Sequence, residues 1–347
     1  MIIVNARFLT QNVTGVQRFA IEISKIIHKK LKDQLVFVTP YNISDHKLAN
    51  ELGAIVIGKS KGTMWEQIDL RQYLLSKNKP LLINFCNTGV LFYSKQIVTI
   101  HDMSYKVNPK WFSKRFYIWY NFLIPQLAKN SLKILTVSNS SKSDIIKFLK
   151  IKHDNIYVIY NSSYLNTNNN FEHIEKEKYI LSVSSFDPRK NLVNLIAAFK
   201  KLNTNIKLVI VGFKNNKFEF ELNEKSLNTN IINKGYVSDN ELSSLLNNAE
   251  AFVYLSFYEG FGLPPLEAMC IGCPVIVSDI AAHREVCGNA AIYVNPYDVE
   301  DIKINLYNVL SNDKLKAKLI EAGKNNAKRF DWVVSADKVL KVINEFV

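Results

Sequence analysis

Residues 251–279 read AFVYLSFYEGFGLPPLEAMCIGCPVIVSD, and this stretch decides the fold. An apolar, aromatic run (Ala251–Phe257) leads into two glycines, two prolines, an apolar helical segment and a second β-rich run ending at Asp279. Proline fits the first helical turn, where a backbone N–H has no intrahelical partner, so Pro264 and Pro265 mark a helix start. Strand, helix and strand in succession need a crossover and hence parallel pairing. The same alternation extends in both directions. LVFVTP (35–40), AIVIG (54–58), LLINF (81–85), QIVTIHD (96–102) and LKILTVS (132–138) read as short buried strands, after an opening strand, MIIVNARFL. GVQRFAIEISKIIHKKL (15–31) carries Val16, Phe19, Ile23, Ile26 and Ile27 at helical spacing. A second series runs through YILSVSSF (179–186), KLVIVGF (207–213) and NIINKGYV (230–237). The expected class is α/β, with two doubly wound parallel sheets.

The chain has 347 residues, more than one hydrophobic core of roughly 250–300 residues accommodates. We place a first domain at 1–165, a polar, Asn-rich linker at 166–177, a second domain at 178–330 and an amphipathic helix at 331–347 that crosses back to the first domain. Residues 1–165 hold 23 Lys and Arg against 9 Asp and Glu, whereas 166–347 hold 21 against 22. The whole positive excess therefore sits in one domain and suits an anionic partner. Lys-rich composition alone would raise both halves. No apolar run approaches the ~20 residues of a membrane span. The N-terminus lacks a basic region ahead of an apolar stretch, and four cysteines make no disulfide framework. The expectation is a cytoplasmic protein.

Four clusters carry chemistry. Glu259-Gly260-Phe261-Gly262-Leu263 joins a strand end to a helix N-terminus, whose outward amides and partial positive charge suit a phosphate or a sugar hydroxyl. Glu267, eight positions after Glu259, lies in the expected first turn, and either carboxylate can accept from a pair of vicinal hydroxyls. The plainer reading is a tight loop with Glu267 on the helix dipole. Asp187-Pro188-Arg189-Lys190 offers adjacent cations at a second strand end, suited to a diphosphate, or else a helix start capped by Asp187. Thr14-Gly15 opens the first helix after the first strand. His101 and Asp102 end an apolar strand, where an imidazole can bond a hydroxyl or act as acid or base. Cys270 and Cys273 form a CxxC with no second pair and read as packing.

Taken together, TGVQRFAIEI (14–23), TIHDMSY (99–105), LTVSNSSKSDI (135–145), SVSSFDPRKNLVNLIAAF (182–199), EGFGLPPLE (259–267) and REVCGNAAIYVNPYD (284–298) resemble the family 4 retaining glycosyltransferases, which build bacterial surface polysaccharides. The resemblance spans nearly the whole chain in order. It implies the GT-B fold: two Rossmann-like domains facing a cleft. It also implies that Glu267 holds the nucleotide ribose and Glu259 the donor hexose, with Phe261, Gly262, Leu263 and Gly15 around the sugar and diphosphate. Arg189 and Lys190 would neutralise the departing diphosphate, and His101 would touch the hexose. Many relatives carry Gly-Arg where this chain has Ser184-Ser185, which rests the cationic role on Arg189 and Lys190.

The expected activity is transfer of a hexose, with mannose, rhamnose or another deoxyhexose favoured, from a GDP-, UDP- or dTDP-sugar to a lipid-linked glycan of O-antigen, capsule or exopolysaccharide. No cofactor and no metal are expected, because no Asp-x-Asp pattern is present and oriented cations can stabilise a leaving diphosphate. The aromatic and basic segment KWFSKRFYIWYNFLIPQLAK (110–129) is a candidate contact with an anionic membrane at its inner, cytoplasmic face. The alternatives are a non-catalytic GT-B-like protein that binds polyanions or membranes, an epimerase of similar architecture whose base-bearing motifs are missing, and a nucleic-acid binder for which no recognition motif is found.

Overall fold

The computed structural model describes residues 1–165, 178–184, 187–212 and 230–347. These divide into two units, Met1–Asn161 with Phe330–Val347, and Ser162–Arg329. The expected linker at 166–177 and Ser185 lie outside the described residues.

In the first unit the order is β1 (Ile2–Asn5), α1 (Gly15–Leu31), β2 (Leu35–Thr39), α2 (His46–Glu51), β3 (Ile55–Val56), α3 (Gly62–Trp65) and a π turn at Glu66–Leu70. It continues with α4 (Arg71–Ser76), β4 (Leu81–Asn84), β5 (Gln96–Thr99), α5 (Ser104–Val107), α6 (Lys114–Asn130), β6 (Lys133–Thr136), α7 (Asn139–Leu149) and β7 (Ile156–Val158). The strands form one parallel sheet in the order β3-β2-β1-β4-β5-β6-β7. Strands covered on both faces need no polar alternation, and β1, β4 and β5 are buried along their whole length.

The second unit runs β8 (Tyr179–Val183), α8 (Leu192–Lys201), β9 (Lys207–Val211), β10 (Ile231–Gly235), α9 (Asp239–Asn248), β11 (Ala251–Tyr254) and α10 (Leu263–Ile271). After these come β12 (Val275–Ser278), α11 (Ala281–Cys287), β13 (Ile292–Val294), α12 (Val299–Leu310) and α13 (Asp313–Ala327). Its parallel sheet is ordered β10-β9-β8-β11-β12-β13. In both sheets the strand order reverses beside the first strand, between β1 and β4 and between β8 and β11. Ligands of open α/β sheets bind at such points, outside the carboxyl ends.

The last helix, α14 (Trp332–Asn344), returns to the first unit and packs on α1. Trp332 meets the buried Phe19 edge-on at 6.2 Å, and Ser335 Oγ donates to the Tyr160 carbonyl at 2.7 Å. Two boundaries differ from expectation. Ser162–Leu165 group with the second unit rather than the first, with Ser163 beside the thiol of Cys270 on α10. Phe330 groups with the first, because its ring lies against Tyr160 at 5.4 Å. The edge strands β7 and β13 are too short, at three residues each, to stand out in the sequence.

Phe19 is fully buried and also touches the rings of Phe85 and His101. We expect Phe19→Ala to cost the first unit about 3–5 kcal/mol, read by urea unfolding. A loss under about 1 kcal/mol would contradict this packing.

Candidate functional site

The loop from β11 to α10 turns at Gly262, whose φ of 96° lies in the left-handed region. A Cβ there would stand 3.0 Å from Cδ2 of His283, so strain and space both demand glycine. Pro264 and Pro265 occupy the first helical turn and carry no N–H, which leaves Gly262 and Leu263 as leading amide donors at this terminus. Phe261 is buried. Glu267 is buried too, but α10 begins at Leu263, so it falls in the second turn rather than the expected first. Its value to the helix dipole is correspondingly small.

Lys190 ends a short 3-10 turn (Pro188–Lys190) after β8 and crosses the strand-order reversal to β11. Its Nζ donates to Oε1 of Glu259 and to the hydroxyl of Tyr254, each at 2.6 Å, and lies 5.0 Å from the Tyr254 ring centre. Burial by itself would discharge the ammonium. The Glu259 carboxylate and Tyr254 hydroxyl outweigh it and hold Lys190 above its ordinary range. Burial likewise works against the Glu259 carboxylate, yet Lys190 brings it down to about 2. The site thus contains a cation and a carboxylate, both fixed and both ionised at neutral pH.

Arg189 points to a different partner. Its Nη2 donates to Asp187 Oδ2 at 2.6 Å and its Nε reaches both carboxylate oxygens at 3.0 Å, while Asp187 also caps the turn through the Arg189 N–H. The two adjacent cations therefore have separate counter-charges. Asn191, at φ 55°, ties the turn to the second unit by donating to the Pro296 carbonyl at 2.7 Å.

Two residues of this cluster escape sequence reasoning. Tyr254 reads as ordinary strand filling, and only its place at the end of β11 hints otherwise. His283 lies within AAHREVCG and is wholly buried beneath Gly262. A carbonyl only accepts, so the 3.0 Å contact of Nδ1 with the Ser278 carbonyl places the proton on Nδ1 and leaves Nε2 as an acceptor.

Gly15 and His101 belong to the first unit. Thr14 caps α1, whose first residue is Gly15, in a box with Gln17, and a Cβ on Gly15 would meet no atom within 4 Å. Among the described residues, nothing in the packing requires glycine there. His101 is buried at the end of β5, its Nε2–H donating to the Phe85 carbonyl at 2.8 Å. Burial holds its pKa below the ordinary value, against the Phe85 bond and the Asp102 charge. The ring is neutral and presents Nδ1 as an acceptor.

Burial depresses His283 to about 4, with Glu259 opposing only in part. The unfolded chain, with an ordinary value of 6.5, then binds a proton that the folded chain refuses between those limits. Stability is full above about pH 6.5 and falls on acidification by about 1.4 kcal/mol per pH unit for this residue. Urea unfolding at about pH 7 and about pH 5 should show the loss, with His283→Asn flattening its share. An identical slope in both proteins would contradict the assignment.

Comparison with known proteins gives the chain its family. Residues 166–326 match the family described as glycosyl transferases group 1. The chain is 34% identical over 244 residues to the O-antigen chain mannosyltransferase RfbU of Salmonella typhimurium, covering 69% of this chain and 67% of RfbU. It is 30% identical over 255 residues to the O-antigen chain mannosyltransferase B of Escherichia coli, with the same two coverages. Anabaena HepE, solved in complex with UDP and glucose, superimposes with a TM-score of 0.77 at 14% identity over 99% of each chain, a likeness of fold alone. Two doubly wound parallel sheets make this the GT-B fold, and the chain belongs to the group 1 glycosyl transferases.

Proposed function

We propose that this protein is a family 4 retaining hexosyltransferase that moves mannose from a nucleotide-sugar to a lipid-linked glycan during O-antigen synthesis. The observation that carries the reading is the Lys190–Glu259 pair beside the glycine loop and N-terminus of α10, at the strand-order reversal of the second unit. The names of the two mannosyltransferase relatives support the sugar and the pathway. Rhamnose or another deoxyhexose is the second choice, and GDP, UDP and dTDP remain the nucleotides to compare.

The roles follow from charge. Breaking the bond between the sugar C1 and the diphosphate oxygen leaves negative charge on phosphate. Lys190 is a fixed cation for that charge, and the amides of Gly262 and Leu263 add dipoles, so no metal is needed. Glu259 holds a hydroxyl of the donor hexose, Glu267 holds the ribose diol, and Phe261 walls the sugar. Gly15 contributes its backbone to the diphosphate. Arg189 supports it from beside Asp187, and His101 accepts from a hexose hydroxyl through Nδ1. The acceptor oxygen attacks C1 on the face that the diphosphate leaves, and the departing phosphate oxygen takes the acceptor proton. In this proposal, residues 1–165 form the acceptor-side domain and 178–330 the nucleotide-sugar domain.

Membrane contact has its own observation. Lys114, Arg115, Ile118, Phe122 and Lys129 share the exposed face of α6, with Ile118 68% and Phe122 48% exposed. Apolar side chains between cations suit shallow insertion into an anionic bilayer. We place the protein at the inner, cytoplasmic face of the cell membrane on this basis. Among the described residues, no helix is long and apolar enough to cross a membrane.

Three measurements test these assignments. In an EDTA-treated transfer assay the product should keep the donor's anomeric configuration by NMR, and an inverted product would overturn the mechanism. Lys190→Ala should lower kcat about 100- to 1,000-fold, whereas wild-type turnover would remove its role. Ile118→Glu with Phe122→Glu should abolish co-sedimentation with vesicles containing phosphatidylglycerol, and unchanged binding would contradict the membrane assignment.

A further inference from the structure

Buried phenols in this chain usually finish as donors to the backbone. The hydroxyl of Tyr93 donates to the Pro80 carbonyl, and that of Tyr179 to the Leu245 carbonyl at 2.7 Å. Such bonds satisfy a buried polar atom and need no other role. Tyr254, at the carboxyl end of β11, is buried as well, yet its oxygen accepts from the Lys190 ammonium at 2.6 Å. Its partner is the cation of the site rather than a main-chain group.

The core, not Lys190, sets where this hydroxyl lies. Residues two apart on a strand share a face, and the fully buried Phe252 stacks on Tyr254 with ring centres 6.1 Å apart and planes 20° apart. The His283 ring, tied to the Ser278 carbonyl, packs at 5.7 Å from the same phenol. A ring packed against two buried neighbours has little freedom to swing its oxygen. Lys190 differs, because its long stem is flexible and 17% of its side chain reaches the surface. An ammonium tied to one carboxylate can pivot about that contact. A second, fixed acceptor removes the pivot. Two of the three ammonium N–H groups are spent on Glu259 and Tyr254, which sets the direction of the third.

The two acceptors differ in charge. Glu259 offsets part of the charge that Lys190 offers an anion, whereas a neutral phenol holds the ammonium and leaves its charge intact. Burial and the nearby Glu259 carboxylate keep the Tyr254 hydroxyl protonated, well above its ordinary range. In the transfer proposed above, negative charge on the diphosphate grows as its bond to the sugar breaks. A small displacement of the cation is then felt most in the transition state. We propose that Tyr254 is a positioning residue for the transfer, its core-anchored hydroxyl fixing Lys190 for the departing diphosphate. This role rests on the transferase reading.

Tyr254→Phe removes the oxygen and keeps the ring that packs on Phe252, and circular dichroism checks the fold. The assay is donor hydrolysis in EDTA, with GDP-mannose, UDP-mannose and dTDP-rhamnose as probes and nucleoside diphosphate release followed by phosphorus NMR. Water supplies the oxygen that bonds to C1 and the proton that the departing phosphate takes. For the donor that the wild type cleaves fastest, Tyr254→Phe should lower kcat about 10- to 100-fold and change KM less than about threefold. The loss should vanish in a Lys190→Ala background, because the hydroxyl acts through that ammonium. A purely structural phenol would lower urea stability and leave kcat alone. Wild-type kcat in Tyr254→Phe, or an equal loss with and without Lys190, would overturn the positioning role while the transferase reading stands. Failure of the wild type to cleave any of the three donors would overturn that reading, and the role with it.

Discussion

The contact on which the proposed donor-side chemistry depends is the 2.6 Å pair between Lys190 and Glu259. It joins the loop after β8 to the loop after β11, the two strands between which the sheet order reverses. Neither charge is cheap at this depth. A half-buried ammonium without a counter-ion discharges, and a carboxylate without one takes up a proton. Each keeps the other ionised, and Tyr254 fills a further valence of the ammonium. The backbone around them is equally constrained: Asn191 anchors one loop to Pro296, and Gly262 lies against His283. A cation held this way needs little reorganisation when negative charge develops beside it, which is the property that electrostatic catalysis requires.

The sequence shows the fold more fully than the site. Strands buried on both faces are continuous apolar runs, and PVIVSD and LLINF stand out for that reason. The domain limits are less legible, because they follow from contacts between residues distant in sequence, such as Phe330 with Tyr160. At the site, strand-to-helix loops with glycine and proline are visible in one dimension, so Gly262, Glu259 and Lys190 can be picked out. Pairing across strands is not. Arg189 and Lys190 are neighbours with the same charge, yet one meets a carboxylate two positions before it and the other a carboxylate 69 positions on. Tyr254 and His283 enter through packing alone. Glu267 falls just past the first turn, because the helix starts at Leu263, one residue earlier than the prolines suggest.

The two units repeat one device with different chemistry. At its reversal point the second unit keeps a cation and a carboxylate ionised, whereas the first has Arg7 committed to Glu66 and Thr88. The positive excess of residues 1–165 is therefore not concentrated there. Part of it is displayed on the exposed face of α6, beside Ile118 and Phe122.

The central claim is that the second unit holds a nucleotide-sugar at the carboxyl edge of β8 and β11. Ligand-observed NMR against GDP-, UDP- and dTDP-sugars in EDTA, for wild type and Glu267→Ala, tests it most directly. The account predicts saturation transfer to one nucleotide-sugar in the wild type and its loss in the variant. Binding of none by the wild type, or undiminished binding by Glu267→Ala, would contradict it.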